Sequence, residues 1–167
     1  IVEGSEALNK FTFSTDFAGS TMPSFRSGNG FDVHRLVPDA ELWLCGVLIP
    51  HDKGLAGHSD ADVAMHALTD AILGAIAKGD IGDHFPPTDP QWRGASSDRF
   101  LAYAMQLARN EGYALANADV TIICERPKVG PFRGQMRQRL AEIMAVDIYC
   151  ISVKATTTEN LVFTGRG

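Results

Sequence analysis

Hydrophobic and polar residues alternate along several stretches of the chain, and this period of two predicts β-strands. The predicted strands are residues 31–34, 42–49 with an interruption at Gly46, 118–124 and 149–155. Apolar runs with helix-start signals predict helices from Ser59 or Asp60 to about Lys78, from Ser96 or Ser97 to near Gly112, and from Phe132 to about Met144. The order strand, strand, helix, helix, strand, helix, strand favours an α+β or α/β sandwich with its helices on one face.

The first 25 residues break this regular pattern. Residues 9–13 could form a short strand, and residues 19–24 have the Gly, Ser and Pro content of a linker. The regular pattern begins at Phe25. We therefore expect one folded domain over residues 26–167, preceded by a tail and a linker in residues 1–25.

The length, net charge and cysteines of the chain exclude several classes of protein. The chain has 167 residues, enough for a single domain with its own core. Its net charge of −5 argues against general binding to nucleic acid or to a membrane surface, because both are polyanions. The three cysteines, Cys45, Cys124 and Cys150, form no Cys-x-x-Cys pair, which fits reduced thiols in a cytoplasmic protein. No membrane span or signal peptide is predicted.

Three residues have the spacing of a metal site. Asp32 and His34 are two apart on a predicted strand, so their side chains project from the same face. His66 lies on the first predicted helix, on one stripe with His58, Asp62 and Asp70. An Asp/His/His set suits zinc and leaves a fourth position open for substrate. The alternative is two strand-surface polar residues and a core histidine, and spacing alone leaves both interpretations open.

A second group of residues suits a phosphate. Residues 154–159 supply a lysine, three threonine hydroxyls and the carboxylate of Glu159, which could hold magnesium. Arg166 between two glycines could bind an anion, and Asp80 in a glycine-containing loop could bind a sugar hydroxyl. The alternatives are an edge strand and an ordinary turn after a helix. A metal beside a phosphate cradle indicates chemistry on a phosphate ester or anhydride.

In combination, several segments resemble the 2-C-methyl-D-erythritol 2,4-cyclodiphosphate synthase family of the non-mevalonate isoprenoid pathway. The resemblance rests on residues 28–34, 58–70, 79–82, 119–123 and 154–159. It implies a lyase that cyclises 4-diphosphocytidyl-2-C-methyl-D-erythritol 2-phosphate and releases CMP. It also implies a ferredoxin-like α+β sheet with helices on one face, and a homotrimer with active sites between subunits.

The resemblance also implies roles for individual residues. Zinc would be bound by Asp32, His34 and His66. The methylerythritol phosphate end would be held by His58 and Ser59, and a catalytic role falls to His58 and Thr157. The sugar pocket would be lined by Asp80, Ile81, Gly82, Phe85 and Asp89.

The resemblance also implies which residues bind the cytidine diphosphate part of the substrate. The cytosine pocket would be formed by residues 124–130, among them Cys124, Pro127, Lys128 and Gly130. The cytidine phosphates would be bound by Thr156 and Thr157, and a second metal, Mg²⁺ or Mn²⁺, by Glu159. Near the trimer axis would lie Phe163 and Arg166.

The chain departs from the family pattern in two places. The family usually has Phe-Pro-Asp-Thr-Asp where this chain has Pro87 in the middle position, so one carboxylate near the substrate hydroxyls is replaced. Members of the family also have a final apolar strand after the segment that corresponds to residues up to Gly167. We expect this strand to be missing here. Residues 1–18 are similar to the tail of a cytidylyltransferase of the same pathway, so a fused cytidylyltransferase domain is expected.

Two other functions remain open. A zinc-dependent phosphohydrolase would use a metal-bound water instead of the internal phosphate and would give a linear product. A metal- or nucleotide-binding module would bind CDP without turnover.

Overall fold

A computed structural model describes residues 25–57, 59–92 and 94–161. The predicted tail and linker at 1–24, together with His58, Phe163 and Arg166, lie outside the described residues. In chain order the elements are β1 (Leu36–Pro38), β2 (Leu42–Leu44), β3 (Val47–Ile49), β4 (Lys53–Leu55), α1 (Val63–Ala75), α2 (Ile81–His84), α3 (Ser97–Asn110), β5 (Ala118–Ile123), α4 (Arg133–Met144) and β6 (Ile151–Thr156). The chain is therefore a mixed helix and strand domain, as its pattern predicts.

Helices α1, α3 and α4 share one apolar core with the strands. Fully buried side chains from all three helices meet there, among them Met65, Leu73, Leu101, Met136 and Leu140. Burying a side chain of this size contributes about 1.5–3 kcal/mol. This core holds α1, which carries a predicted metal ligand, in a fixed position relative to the strands.

The strands form three pairs among the described residues. β1 pairs with β4 and β2 with β3, both antiparallel, while β5 and β6 run parallel with α4 between them in the chain. The parallel register ends at the pair Ile123 and Thr156. The segments that follow these two residues therefore leave the sheet side by side, which matters for the nucleotide end of the candidate site.

The strand predicted at residues 31–34 is wrong. The structure assigns no strand there, and the ladder of β1 begins only at Arg35, whose carbonyl accepts a hydrogen bond from Ala56 N–H. The preceding segment instead packs onto the backbone of α1 through glycines. A Cβ at Gly30 would lie 1.8 Å from the carbonyl oxygen of Ala67, so only glycine permits this approach.

The predicted bounds of the first helix are also wrong. Neither Ser59 nor Asp60 caps α1, because Ala61 has a left-handed φ of 55° and interrupts any helix that starts before it. The cap is Asp62, and the helix ends at Ala75 rather than near Lys78. Of the predicted stripe, His66 and Asp70 lie on α1 and Asp62 is its cap, while His58 lies outside the described residues.

The remaining predicted elements are confirmed with shifted ends. Residues 42–49 form a hairpin whose turn, Cys45–Gly46, has positive φ at both positions, and the later helices and strands begin and end within a few residues of prediction. The pair β1–β4 and the short helix α2 were not predicted. Within the described residues, no helix is long and apolar enough to cross a membrane.

Candidate functional site

The structure brings Asp32, His34 and His66 together. Asp32 Oδ2 lies 3.2 Å from His34 Nδ1 and 3.3 Å from His66 Nδ1, and one ligand atom from each residue lies within 4.8 Å of the others. Tetrahedral zinc with bonds of about 2.0–2.1 Å would separate its ligand atoms by about 3.3 Å. The predicted ligand set therefore has the spacing that a metal ion needs.

The chemistry of the three atoms fits a cation as well. His34 Nδ1 is buried and has no hydrogen-bond partner among the described residues, which is rare for a buried polar atom. Burial would raise the pKa of Asp32, but the adjacent imidazoles of His34 and His66 more than offset it and hold that pKa well below its usual range. An ionised carboxylate and an unpartnered imidazole nitrogen are both ready to bind a metal ion.

Asp62 fixes the helix that carries His66. Its carboxylate caps α1 by accepting a hydrogen bond from Met65 N–H at 3.1 Å. It also accepts from the N–H groups of Cys45, at 3.0 Å, and Gly46, at 2.6 Å, in the β2–β3 turn. Burial raises the pKa of Asp62, and the three backbone hydrogen bonds oppose that shift. The turn and the start of α1 are thereby tied together beside the metal cluster.

Two serines contact the outer nitrogen of His66. Its Nε2 lies 2.9 Å from Ser97 Oγ and 3.1 Å from Ser59 Oγ. Ser97 is fully buried as the first residue of α3. Sequence reasoning assigned Ser59 to substrate and treated Ser97 only as a helix start. The only signal in the sequence for the contact between Ser97 and His66 is a serine at a helix start. Such serines are too common to single out Ser97.

The predicted sugar-pocket loop lies against α1. Asp80 caps the short helix α2, and Ile81 N–H donates to Asp70 Oδ1 at 2.8 Å. Asp70 follows His66 by one turn of α1. Burial raises the pKa of Asp70, and the hydrogen bond from Ile81 opposes this shift. Through this contact, the residues Asp80, Ile81 and Gly82 are held one helical turn from the metal cluster.

Phe85 belongs to an aromatic cluster that reaches the metal ligands. Its ring centroid lies 4.5 Å from that of Phe100 and 5.0 Å from that of Trp92. The Phe100 ring in turn lies 6.2 Å from His66. These packed rings form an apolar wall beside the imidazole.

Asp89 is not a member of the metal cluster formed by Asp32, His34 and His66. Its carboxylate accepts a hydrogen bond from the N–H of Gln91, at 3.0 Å, within its own turn. Pro87, the departure from the family pattern, is exposed in the same loop. The role of Asp89 in substrate binding stays a prediction.

The two predicted nucleotide segments meet at the end of the parallel strand pair. Cys124 N–H donates to Thr156 O at 3.1 Å, which extends the ladder by one residue. Cys124 Sγ lies 3.6 Å from Pro127 O, while Lys128 and Gly130 are exposed farther along the same loop. Burial, together with the nearby Glu125, raises the pKa of the Cys124 thiol and so disfavours its nucleophilic thiolate form.

One carboxylate organises the turn that follows β6. Glu125 Oε1 accepts hydrogen bonds from Thr158 N–H at 2.8 Å, Thr158 Oγ–H at 2.7 Å and Asn160 N–H at 3.2 Å. The Thr157 hydroxyl donates to Glu159, and both are exposed. Sequence reasoning did not single out Glu125. Among the residues that the structure describes, no hydrogen bond or ion pair joins this turn to the metal cluster.

Comparison with known proteins agrees with this geometry. A model of the YgbB family matches residues 25–167. The chain belongs to the YgbB family. It is 64% identical over 141 residues to a 2-C-methyl-D-erythritol 2,4-cyclodiphosphate synthase of Cereibacter sphaeroides, covering 84% of this chain and 89% of that protein. The predicted resemblance is thereby confirmed.

Longer relatives match the chain along its whole length. It is 66% identical over 168 residues to a bifunctional enzyme IspD/IspF of Novosphingobium aromaticivorans, covering 100% of this chain and 44% of that protein. The chain thus spans less than half the length of this relative.

Solved structures of the same family share the fold. A 2C-methyl-D-erythritol-2,4-cyclodiphosphate synthase in a CDP-bound form superposes with a TM-score of 0.77 at 46% identity, covering 81% of this chain and 91% of that one. The bifunctional IspDF of Campylobacter jejuni superposes with a TM-score of 0.82 at 43% identity, covering 99% of this chain and 46% of that one.

Proposed function

We propose that the chain cyclises 4-diphosphocytidyl-2-C-methyl-D-erythritol 2-phosphate to 2-C-methyl-D-erythritol 2,4-cyclodiphosphate and releases CMP, as a step of non-mevalonate isoprenoid synthesis. The observation that carries the proposal is the convergence of Asp32, His34 and His66, with an unpartnered buried nitrogen on His34. The names of the family relatives support the same reaction.

The reaction needs positioning and charge withdrawal more than proton transfer. An oxygen of the 2-phosphate forms a bond to the β-phosphorus, and the bond from that phosphorus to the α–β bridging oxygen breaks. CMP leaves with the bonding electrons, so neither a covalent protein intermediate nor a strong general base is required. A zinc ion, when bound, withdraws negative charge from the β-phosphate.

The residues of the chain supply the geometry at the metal end. Asp32 stays ionised because of its lowered pKa and offers a ligand oxygen, while the two imidazoles offer Nδ1 atoms. Ser59 and His58 would hold the methylerythritol phosphate, and Asp80, Ile81 and Gly82 the sugar hydroxyls. The aromatic wall at Phe85 would keep water from one side of the reacting phosphates.

The nucleotide end would be formed by the paired loops after β5 and β6. The exposed hydroxyls of Thr156 and Thr157 can donate to the cytidine phosphates, and Lys128 adds a cation. Glu159 would hold Mg²⁺ or Mn²⁺. The cytosine would lie among residues 124–130, where backbone groups of Pro127 and Gly130 are available. Because the chain is acidic, this binding should depend on a divalent cation.

The site is proposed to lie between the subunits of a homotrimer with a ferredoxin-like sheet. The motive is that neither nucleotide segment encloses a ligand by itself. Large apolar side chains are also exposed next to Asp32 and at the end of β5, with 69% of Phe31, 54% of Val33 and 45% of Ile123 accessible. Phe163 and Arg166 would lie near the trimer axis. Sedimentation of the protein should give a trimer.

The domain organisation is proposed from the same resemblance. Residues 26–167 would be the cyclodiphosphate synthase domain, and residues 1–25 the tail of a preceding cytidylyltransferase domain with its linker. The bifunctional names of the full-length matches support a fused cytidylyltransferase. A cytoplasmic location stays a prediction from the cysteines.

Product analysis tests the reaction. The protein is incubated with the CDP-linked substrate, and ³¹P NMR distinguishes a cyclic diphosphate plus CMP from a linear phosphate. The cyclic product supports the synthase, a linear product supports the phosphohydrolase, and CDP binding without any product supports a binding module. Chelator-treated protein should be inactive and should recover when zinc and Mg²⁺ are restored.

A further inference from the structure

A chain of partly buried hydrogen bonds runs from α3 to the outer nitrogen of His66. The Ser97 hydroxyl lies 2.9 Å from His66 Nε2 and donates to Asp60 Oδ1. The Ser97 N–H donates to the other oxygen of Asp60, Oδ2, at 3.0 Å. Ser97, which links the other two residues, is fully buried, and Asp60 and His66 are partly buried.

The direction of each bond in this chain follows from the number of protons. A serine hydroxyl carries one proton, and the Asp60 carboxylate can only accept, so Ser97 presents a lone pair to His66. Nε2 must then carry a proton and donate it. The other tautomer would place two lone pairs 2.9 Å apart. Ser59 Oγ, which accepts from Ala61 N–H at 3.1 Å, also lies beside Nε2 and can share its proton.

A proton on Nε2 leaves the Nδ1 lone pair of a neutral imidazole free. That atom faces Asp32 Oδ2 at 3.3 Å, an arrangement of two electron donors that a cation between them would stabilise. We propose that Asp60 and Ser97 are positioning residues, which hold His66 in the Nε2–H tautomer so that Nδ1 binds the metal ion. This inference rests on the proposed zinc site and adds two residues outside the ligand set, Ser97 in contact with His66 and Asp60 in contact with Ser97.

The test uses zinc-loaded protein labelled with ¹⁵N in its histidines. We expect the spectrum to show His66 bound through Nδ1, with a slowly exchanging proton on Nε2. Ser97→Ala should speed exchange of that proton and weaken zinc binding about 10–100-fold in a chelator competition. The matched control is Ser96→Ala, because the Ser96 side chain makes no capping hydrogen bond and is exposed.

Asp60→Asn provides a second variant if Ser97→Ala does not fold. The amide replaces one acceptor oxygen with a donor, so it cannot accept from both Ser97 groups, and zinc affinity should fall in the same direction. Zinc bound through His66 Nε2 in the unaltered protein would overturn the inference. So would folded variants with lowered melting temperature and unchanged zinc affinity, since the pair would then only be structural. An unaltered protein that binds no zinc would overturn the proposed metal site itself.

Discussion

Two carboxylates, one at each end of the candidate site, accept three hydrogen bonds each, but their pKa values are shifted in opposite directions. Asp62, at the start of α1, accepts from three backbone N–H groups and is fully buried. Glu125, beside the turn after β6, accepts from two N–H groups and one hydroxyl at the surface. Burial raises the pKa of Asp62, whereas the hydrogen bonds from Thr158 lower the pKa of Glu125.

The difference shows how the two ends are built. The proposed metal end is organised by buried groups that fold with the core. The side chains that would bind the metal are therefore in position before the metal ion or the substrate arrives. The proposed nucleotide end is organised by one surface carboxylate, Glu125, and the Thr156 and Thr157 side chains beside it are exposed. We therefore expect changes at the metal end to alter metal content and stability, and changes at the nucleotide end to alter nucleotide affinity alone.

The largest expected effect is loss of the metal. A variant with Asp32, His34 and His66 all changed to alanine removes every ligand of the cluster, so zinc content should fall from stoichiometric to undetectable in elemental analysis. Circular dichroism should show a retained fold.

His51→Ala is the matched control, since His51 pairs with Asp52 at 3.0 Å outside the cluster and should leave zinc content unchanged. Stoichiometric zinc in the triple variant would show that the metal binds elsewhere.

The second effect is on stability. Asp62→Ala leaves the N–H groups of Cys45, Gly46 and Met65 without their acceptor and removes the helix cap. The expected loss in the free energy of unfolding is about 3 kcal/mol, measured by urea denaturation. Asp52→Ala, at an exposed carboxylate, should change it by less than about 0.5 kcal/mol. Equal losses in the two variants would contradict the role given to Asp62.

A smaller effect is expected at the nucleotide end. Glu125→Ala removes the shared acceptor of Thr158 and Asn160, so the turn that carries Thr157 and Glu159 should loosen. CDP affinity in the presence of Mg²⁺, measured by calorimetry, should fall about tenfold while zinc content stays constant. Glu125→Gln retains one acceptor oxygen and should recover most of the affinity. A parallel loss of zinc would show that the two ends are coupled.

The sequence predicts those parts of the site that depend on local spacing. The Asp-x-His pair and a histidine on the next helix give the ligand set, and alternation locates β5 and β6. The resemblance adds the reaction and the nucleotide segments. Even so, the segment around Asp32 that was predicted as a strand is irregular and packs on α1. The sequence does not reveal this, because glycines in contact with a helix leave the alternation of the neighbouring side chains intact.

The supporting residues could not be predicted because their partners are distant in the chain. Asp62 bonds to Cys45 and Gly46 across a hairpin, and Ser97 reaches His66 from another helix. Glu125 meets Thr158 only because β5 and β6 pair in parallel. Such contacts depend on tertiary packing, which leaves no periodic signal in a single sequence.

The smallest expected effect is a titration step in the turn after β6. Because its folded pKa is lowered, Glu125 should stabilise the turn at every pH above its unfolded value and lose this contribution as the pH falls through the folded value. NMR amide signals of Thr158 and Asn160, followed from about pH 7 down to about pH 2, should therefore shift with a midpoint below that of an ordinary glutamate.

Glu125→Gln is the control for this step and should show no such shift, because it has no proton to gain. Asp62 gives the opposite sign within the same molecule, because its folded pKa is raised: its contribution to stability is fully present below the unfolded pKa and is lost as the pH rises through the folded pKa. A midpoint at or above the ordinary glutamate value for Thr158 and Asn160 would mean that Glu125 does not hold the turn through its charge. The contrast between the buried and the surface carboxylate would then rest on burial alone.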